Sequence, residues 1–483
     1  MLRLTDTRTR RAEPVRPPAG EPLRIYACGP TVYRPAHVGN LRTFLLTDLI
    51  RRVAEDRYGW PVLLVQNITD VGHLAEDPHE HPPAAADPPE AGGPPDKVLA
   101  EARRLGVGPL ELARRFEAAF HRDVAALGLR PAHAYPRASE SVDLMVELVA
   151  RLLDRGHAYL GADGSVFFDA HSAPGYGALS GNRLDALTPG HRVVGVDPAK
   201  RFHADWVLWR RAGRRRQLVW DSPWGRGFPG WHVECSAMSL HHLAGRVDVH
   251  TGGIDLRFPH HEDERAQSDA AAGHEVVRRW VHAEHLLFDG RKMAKSAGNV
   301  VLLDDVVGRG HDPLALRLAF CEHHYRQQLN LTWDTVAAAD RTLRRWRARV
   351  AEWARAPGAP PPRSWVEPAY AALDDDLDTA AVVRLLRRAE KDSGLPAGAR
   401  FELFAHLDRF LGLDLARDVG RAGSPAPEAL PDGAGELLAA RSRARAARDY
   451  AAADRLRDEL TGLGVSVRDT PDGQRWSVRS APG

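Results

Sequence analysis

Leu23 to Val53 reads LRIYACGPTVYRPAHVGNLRTFLLTDLIRRV, and Val62 to Val65 reads VLLV. The opening LRIYAC has the apolar character of a buried strand, which Gly29-Pro30 breaks. From about Asn40, apolar residues recur at four-residue steps (Leu41, Leu45, Leu49, Val53), the spacing of one helix face. VLLV is a short continuous apolar run, as expected of a parallel strand covered on both faces. Strand, helix and strand make a right-handed βαβ unit, and ligands of such units collect at the carboxyl ends of the strands. Cys28 and the turn Pro35 to Asn40 (PAHVGN) fall at one such end, and Asn67-Ile68-Thr69-Asp70 at the next. The expected fold class is therefore α/β.

Working outward, 483 residues are enough for several domains, each with its own core. Lys plus Arg number 66 and Asp plus Glu 64, so the formal charge is only +2. Any nucleic-acid surface must then be local. Three scattered cysteines, Cys28, Cys235 and Cys321, do not make a disulfide framework, which fits a reducing, cytoplasmic setting. No apolar run is long enough to span a bilayer, and the Arg- and Thr-rich start is broken by Asp6 and Glu13, unlike a targeting peptide. Glu76 to Lys97 is Pro-, Ala- and acid-rich and reads as a disordered insertion. Asp143 to Leu153 reads as helix, Tyr159 to Asp169 as a hairpin around Asp163-Gly164, and Val247 to Thr251 as a further strand end. Ala354 to Arg363 and Gly423 to Gly435 are linkers by composition. The terminal module is expected to be one helix to about Leu460, then strands Val465–Arg468 and Trp476–Val478.

Several residue sets have chemical meaning. His260 and Glu264 are four apart and share a helix face. With the thiols of Cys28 and Cys235, each followed by turn-compatible residues, they make a donor set that can bind zinc. Spacing alone leaves that open, because an isolated cysteine is more often a small buried hydrophobe and an HHED string a solvated helix start. His37 near a helix N-terminus can meet a phosphate, or be an ordinary loop histidine. Lys292 and Lys295, in RKMAKSAGN (Arg291 to Asn299), can clamp pyrophosphate, or be two exposed lysines. Gly252-Gly253-Ile254-Asp255 follows a strand and suits a ribose, with Asp255 accepting from its hydroxyls, or is a plain Gly-Gly turn.

Six strings are more specific together: YACGPTVYRPAHVGNLRTF (Tyr26 to Phe44), NITDVGH (Asn67 to His73), GWHVECSAMS (Gly230 to Ser239), HTGGIDLRFPHHEDERAQS (His250 to Ser268), KMAKSAGN (Lys292 to Asn299) and HYRQQLN (His324 to Asn330). In this order they resemble cysteinyl-tRNA synthetase, a class I aminoacyl-tRNA synthetase, from the N-terminus to about Trp333. PAHVGN and KMAKS resemble the two class I signatures usually written HIGH and KMSKS. Leu438 to Trp476 resembles the family's anticodon-binding end. The departures are Ala294 where the second signature usually has Ser, and Asn40 where the first often ends in His.

The resemblance implies a Rossmann-type parallel-sheet catalytic domain with an inserted connective region, a helical anticodon-binding domain and a small α+β C-terminal module. The implied segments are 1–140 and 231–300 for the two catalytic halves, 141–230 for the insertion, 301–354 for stem-contact helices, 364–422 for a helical tRNA-binding domain and 436–483 for the terminal module. It implies one Zn2+ held by Cys28, Cys235, His260 and Glu264, reading the substrate sulfur where shape barely separates cysteine from serine. It implies ATP as substrate with Mg2+, and L-cysteine and tRNA(Cys) as partners, with no membrane partner and a monomeric chain. His37, Lys292 and Lys295 are then catalytic; His37, Asn40, Gly253, Asp255 and Lys295 hold ATP; Gly29, Thr69 and Trp231 line the cysteine pocket. Arg341, Arg344, Arg345, Arg347 and Arg349 on one helix, and Arg441, Arg443, Arg445, Arg448 and Trp476 near the end, are candidate RNA contacts or a solvated basic face. The alternative is a cysteine-activating paralogue that serves a non-tRNA acceptor, and a non-catalytic nucleotide- or tRNA-binding paralogue is a third possibility.

Overall fold

The computed structural model describes residues 1–71, 97–187, 197–213, 216–293, 298–420, 431–447, 449–470 and 473–478. The chain opens with an antiparallel pair, β1 (Arg3–Asp6) and β2 (Arg11–Pro14). β3 (Leu23–Ala27), α1 (Val38–Arg52) and β4 (Val62–Gln66) form the expected βαβ unit, with β3 and β4 parallel. Three helices follow: α2 (Lys97–Leu105), α3 (Pro109–Ala126) and α4 (Val142–Asp154). The insertion is an antiparallel sheet of β5 (Ala158–Leu160), β6 (Val166–Phe168), β7 (Trp206–Arg211) and β8 (Gly227–Pro229). The parallel sheet resumes with α5 (Trp231–His242), β9 (Val249–Gly253), α6 (His260–Ala272) and β10 (Trp280–Ala283), giving the order β10-β9-β3-β4. The strand order reverses at β3, which opens a crevice between the carboxyl ends of β3 and β9.

Beyond the sheet, β11 (Leu286–Phe288), β12 (Arg291–Lys292) and β13 (Leu329–Leu331) form a small sheet, with α7 (Leu303–Gly308) and α8 (Pro313–Cys321) between the last two. Helices α9 (Trp333–Trp353), α10 (Arg363–Asp374), α11 (Thr379–Lys391) and α12 (Ala397–Leu411) complete a first compact unit, Met1–Leu415. One apolar cluster joins Tyr26 and Val65 of the parallel sheet to Met145, Leu152, Phe168, Trp206, Val233 and Met238, so the antiparallel insertion shares the core of the parallel sheet. Burial of these side chains supplies the main drive for that union, at about 25 cal/mol per Å² of apolar surface.

A second unit, Ala416–Gly483, holds α13 (Ala434–Ala446), α14 (Tyr450–Gly462), β14 (Val465–Thr470) and β15 (Gly473–Val478). The single helix expected here is two. The first ends at Ala446 with Ala447 as its cap, and Asp449 caps the second, its side chain accepting from Ala452 N. The hairpin is longer than expected, with β14 and β15 paired from Val465–Val478 to Thr470–Gly473. The insertion expected at 76–97 lies outside the described residues except for Lys97, which begins α2, and 423–430 of the second linker lie outside them too.

Candidate active site and metal centre

α1 is built to present its first turn. His37 is its N-cap: Nδ1 accepts from Gly39 N at 3.1 Å and Asn40 N at 3.2 Å, and Asn40 Oδ1 accepts in return from His37 N at 3.1 Å. This capping box explains why Asn stands at position 40, where it closes the turn. With Nδ1 accepting, the neutral ring carries its proton on Nε2. The second signature meets the first here. Val38 N donates to Val301 O at 3.0 Å, and His37 bridges to Leu302. A Cβ on Gly39 would sit 2.9 Å from His37 Cε1 and 3.0 Å from Met293 Cε, so glycine leaves room for the capping ring and the Met293 side chain. Lys292 ends β12 exposed, and its carbonyl accepts from Asn299 Nδ2 at 3.0 Å, which pins the two ends of the loop. Lys295 and Ala294 lie outside the described residues.

Across the crevice, β9 ends at Gly253, and a Cβ there would sit 2.4 Å from Asp255 Oδ1. At the ends of β3 and β4, Gly29 N donates to Asn67 Oδ1 at 2.9 Å, and Asn67 Nδ2 donates to the buried Thr69 Oγ1 at 3.0 Å. Backbone bonds add to this, Cys28 N donating to Thr251 O at 3.2 Å and Thr69 N to Pro30 O at 3.1 Å, so these strand ends are held by pairing as well as by side-chain amide chemistry.

The helix α6 is unusual. His260, His261, Glu262, Asp263, Glu264, Gln267 and Ser268 are all buried. The solvated helix start that an HHED string usually makes is therefore not what forms. Burying that many polar groups is costly unless each finds a partner. Cys28, Cys235, His260 and Glu264 bring their donor atoms within 4.8 Å of one another. Cys28 Sγ and Cys235 Sγ are 3.8 Å apart, and His260 Nε2 is 3.9 Å from Glu264 Oε2. Cys235 lies within α5, not beside a turn, so its neighbours in sequence play no part in aiming it. Trp231, half-buried at the start of α5, stacks on His260 with ring centroids 4.2 Å apart.

Four histidines that sequence reasoning missed surround this quartet: His250, His261, His282 and His232, whose Nδ1 lies 2.9 Å from His260 Nδ1. His250 Nε2 lies 2.8 Å from Glu264 Oε1, and His261 Nε2 lies 3.2 Å from Cys28 Sγ. His261 Nδ1 in turn meets His282 Nε2 at 2.8 Å, and His282 Nδ1 meets Thr7 Oγ1 at 2.7 Å. A second donor set, Cys28, His250, His261 and Glu264, is equally compact. Its two histidines already point at Glu264 and Cys28, as groups that hold ligands in place do. The only signal for them was that His250 and His261 sit inside the same strings as the Gly pair and Glu264.

The electrostatics point to a cation. Among the described residues, Glu264 Oε2 is buried with no hydrogen-bond partner. Burial pushes the Cys28 thiol well up, with Cys235, Glu264 and Asp255 adding to it. For Cys235 the hydrogen bond with Cys28 works downward, but burial and the nearby Glu264 and Glu234 outweigh it and the thiol is also pushed up. Burial, then the neighbouring histidines, holds His261 well below the usual histidine range, and burial, His250 and Arg257 bring His282 down to about 3. Neutral imidazoles beside acidic donors that resist ionising are the pattern a bound dication inverts.

The basic residues expected to face RNA are largely committed elsewhere. Arg347 is buried and donates to Asp312 Oδ2 at 2.6 Å and to the carbonyls of Leu413 and Asp414, so it is a packing residue of α9. Arg344, Arg345 and Arg349 pair with Asp340, Glu390 and Glu352. Arg341 and Arg443 are exposed, while Arg448 lies outside the described residues. Arg441 is buried and grips both oxygens of Asp469 at 2.9 Å, Arg445 pairs with the same carboxylate, and Trp476 packs on the small core of Ala434, Leu438, Leu460 and Val465.

Among known proteins, the family described as tRNA synthetases class I (C) catalytic domain matches residues 15–77 and 94–341. The cysteinyl-tRNA ligase anticodon binding domain matches 428–476. The chain is 40% identical over 524 residues to the cysteine–tRNA ligase of Salinibacter ruber, spanning 100% of this chain and 99% of that one. It is 40% identical over 500 residues to a cysteine–tRNA ligase of Thermus thermophilus, with 99% of each covered. The fold is similar to Mycobacterium tuberculosis methionyl-tRNA synthetase bound by methionyl-adenylate, with a TM-score of 0.52 at 17% identity over 90% of this chain and 96% of that one. Fold and crevice thus define a class I aminoacyl-tRNA synthetase. Full-length identity to curated relatives goes further, and the chain belongs to the cysteinyl-tRNA ligase family.

Proposed function

We propose that this chain activates L-cysteine with ATP and passes it to tRNA(Cys). The geometric observation that supports this best is the buried quartet with its unpartnered Glu264 Oε2, set at the carboxyl ends of a parallel sheet beside a capped helix N-terminus. Cys28, Cys235, His260 and Glu264 hold Zn2+. When bound, the ion supplies a soft Lewis acid that prefers a thiolate to a hydroxyl, which is what separates cysteine from serine. Trp231, Thr69 and Gly29 line the pocket and orient the amino acid so that its carboxylate faces ATP.

In the first step the cysteine carboxylate attacks the α-phosphate, giving cysteinyl-adenylate and releasing pyrophosphate. No side-chain nucleophile is needed, and positioning with charge stabilisation sets the rate. His37 donates from Nε2 to a phosphate oxygen, and Asn40 holds His37 in that pose through the capping box. Lys295, assisted by Lys292, neutralises the pyrophosphate, with Mg2+ sharing that charge. Gly253 admits the ribose closely and Asp255 accepts from its hydroxyls. In the second step a ribose hydroxyl of the tRNA 3′ adenosine takes the acyl group and AMP leaves. Residues 301–354 contact the tRNA stem, 364–422 form a helical tRNA-binding domain and 436–483 bind the anticodon, in a monomer working in the cytoplasm.

The non-tRNA acceptor finds no support, since full-length relatives are named as tRNA ligases and the anticodon-binding family covers the chain's end. The test is cysteine-dependent ATP–pyrophosphate exchange followed by charging of tRNA(Cys). Both are expected. Exchange without charging would return the non-tRNA acceptor, and neither would sink the adenylation chemistry.

A further inference from the structure

The string FPHHEDER serves two faces, and the metal set uses only one of them. Glu262, Asp263 and Arg265 turn toward the insertion. Glu262 Oε2 accepts from Leu179 N at 3.0 Å and Ser180 N at 2.7 Å, and Arg265 Nη2 donates to Gly175 O at 2.6 Å. Asp263 Oδ1 accepts from Tyr176 OH, whose ring stacks on Trp206 at 5.7 Å. The other oxygen, Asp263 Oδ2, lies 3.5 Å from His232 Nε2, and His232 Nδ1 lies 2.9 Å from His260 Nδ1. Tyr176, Asp263, His232 and His260 therefore lie in one line from the insertion to the quartet, hydrogen-bonded at both ends and joined at Asp263–His232 by a 3.5 Å ion-pair contact, and Asp263, His232 and His260 are buried.

One proton placement suits the order of contacts along this line. His260 faces Glu264 Oε2 with Nε2, so that nitrogen must keep its lone pair for the metal and the proton sits on Nδ1. His260 Nδ1–H then donates to His232 Nδ1, which leaves the His232 proton on Nε2, facing the Asp263 carboxylate. Resting on the zinc reading above, we propose that Asp263, through His232, is a positioning device for His260. It fixes the tautomer and ring plane of that ligand and raises its basicity, and Tyr176 of the insertion anchors the carboxylate. A carboxylate behind a ligating histidine is a known lever on metal affinity; here a second histidine carries it one residue further and ties it to the inserted domain.

The test compares wild type with Asp263→Asn, which keeps shape and loses charge. Zinc dissociation constants are measured by chelator competition, with the melting temperature of the zinc-free protein recorded alongside. Zinc affinity is expected to fall about ten- to hundredfold, with KM for cysteine rising and KM for ATP unmoved. If Asp263 merely seats the insertion, melting drops while zinc affinity holds, and that result overturns the proposal. Should Asp263→Asn not fold, His232→Asn keeps an acceptor for His260 while cutting the line to Asp263, with the same expected and overturning outcomes. A wild type that binds no zinc overturns the metal assignment and this proposal together. Zinc bound equally by wild type and variant overturns this proposal alone.

Discussion

Two buried polar clusters lie in the first unit, and they are built in opposite ways. At the C-terminal end of α1, Asp48 Oδ1 accepts from Arg130 N at 2.9 Å, and its Oδ2 accepts from Arg52 Nε at 2.7 Å and Arg317 Nη2 at 2.6 Å. The buried Arg317 gives its remaining N–H groups to the carbonyls of Leu411, Leu127 and Gly128. Every charge there has a partner supplied by the chain, and although burial pushes the Asp48 carboxyl up, Arg317 and Arg52 win and hold it below its ordinary 3.8. In the quartet, thiols are pushed up and Glu264 Oε2 has no hydrogen-bond partner among the described residues. The first cluster is neutralised from within and joins α1 to α8 and α12. The second is left short of positive charge, as a site for an added cation must be.

The largest effect expected from this contrast is at the quartet. Cys28→Ala should cut cysteine activation and zinc retention by more than about a hundredfold, since even outer partners of a metal site are worth ten- to hundredfold. Metal analysis and pyrophosphate exchange check it, and unchanged zinc content would erase the distinction between the clusters. Next, Asp48→Asn should destabilise the fold by about 3 kcal/mol by leaving the buried Arg317 charge uncompensated, with zinc affinity unaltered. Its pH dependence has a definite sign. A carboxyl whose folded pKa lies below its unfolded value contributes stability above that unfolded value and loses it as pH falls through the folded one. The gap between wild type and Asp48→Asn in urea unfolding should therefore be full near neutrality and shrink below the ordinary 3.8. A gap that widened in acid would break the assignment of Asp48 as the paired charge. Smallest is the pair of exposed Arg349 and Glu352 outside both clusters: Arg349→Ala should cost no more than about 0.5 kcal/mol, as for a surface pair one helical turn apart. A larger loss in unfolding free energy would show that α9 depends on its surface charges.

Legibility in the sequence followed locality. The βαβ unit was plain because apolar periodicity is written into neighbouring residues, and β3, α1 and β4 formed where LRIYAC, the Leu41–Leu45–Leu49 face and VLLV placed them. The quartet was not legible from spacing. Cys28 and Cys235 are 207 residues apart, and only the resemblance joined them to His260 and Glu264. His250 and His282 were missed because a histidine on a strand carries no mark of which neighbour it will meet. Arg347 and Arg441 looked like RNA contacts because a run of arginines cannot reveal that one of its members turns inward to Asp312 or Asp469.

By itself, then, the sequence determined the α/β class and the β3–α1–β4 unit, since these depend on short-range pattern and backbone chemistry. Only the tertiary structure decided which polar side chains are neutralised by the chain and which gather into a buried set that could hold a metal ion. That division depends on burial and on the meeting of residues far apart in sequence: Arg317 reaches Asp48 from α8, whereas the described donors around Glu264 Oε2 leave it without a hydrogen-bond partner.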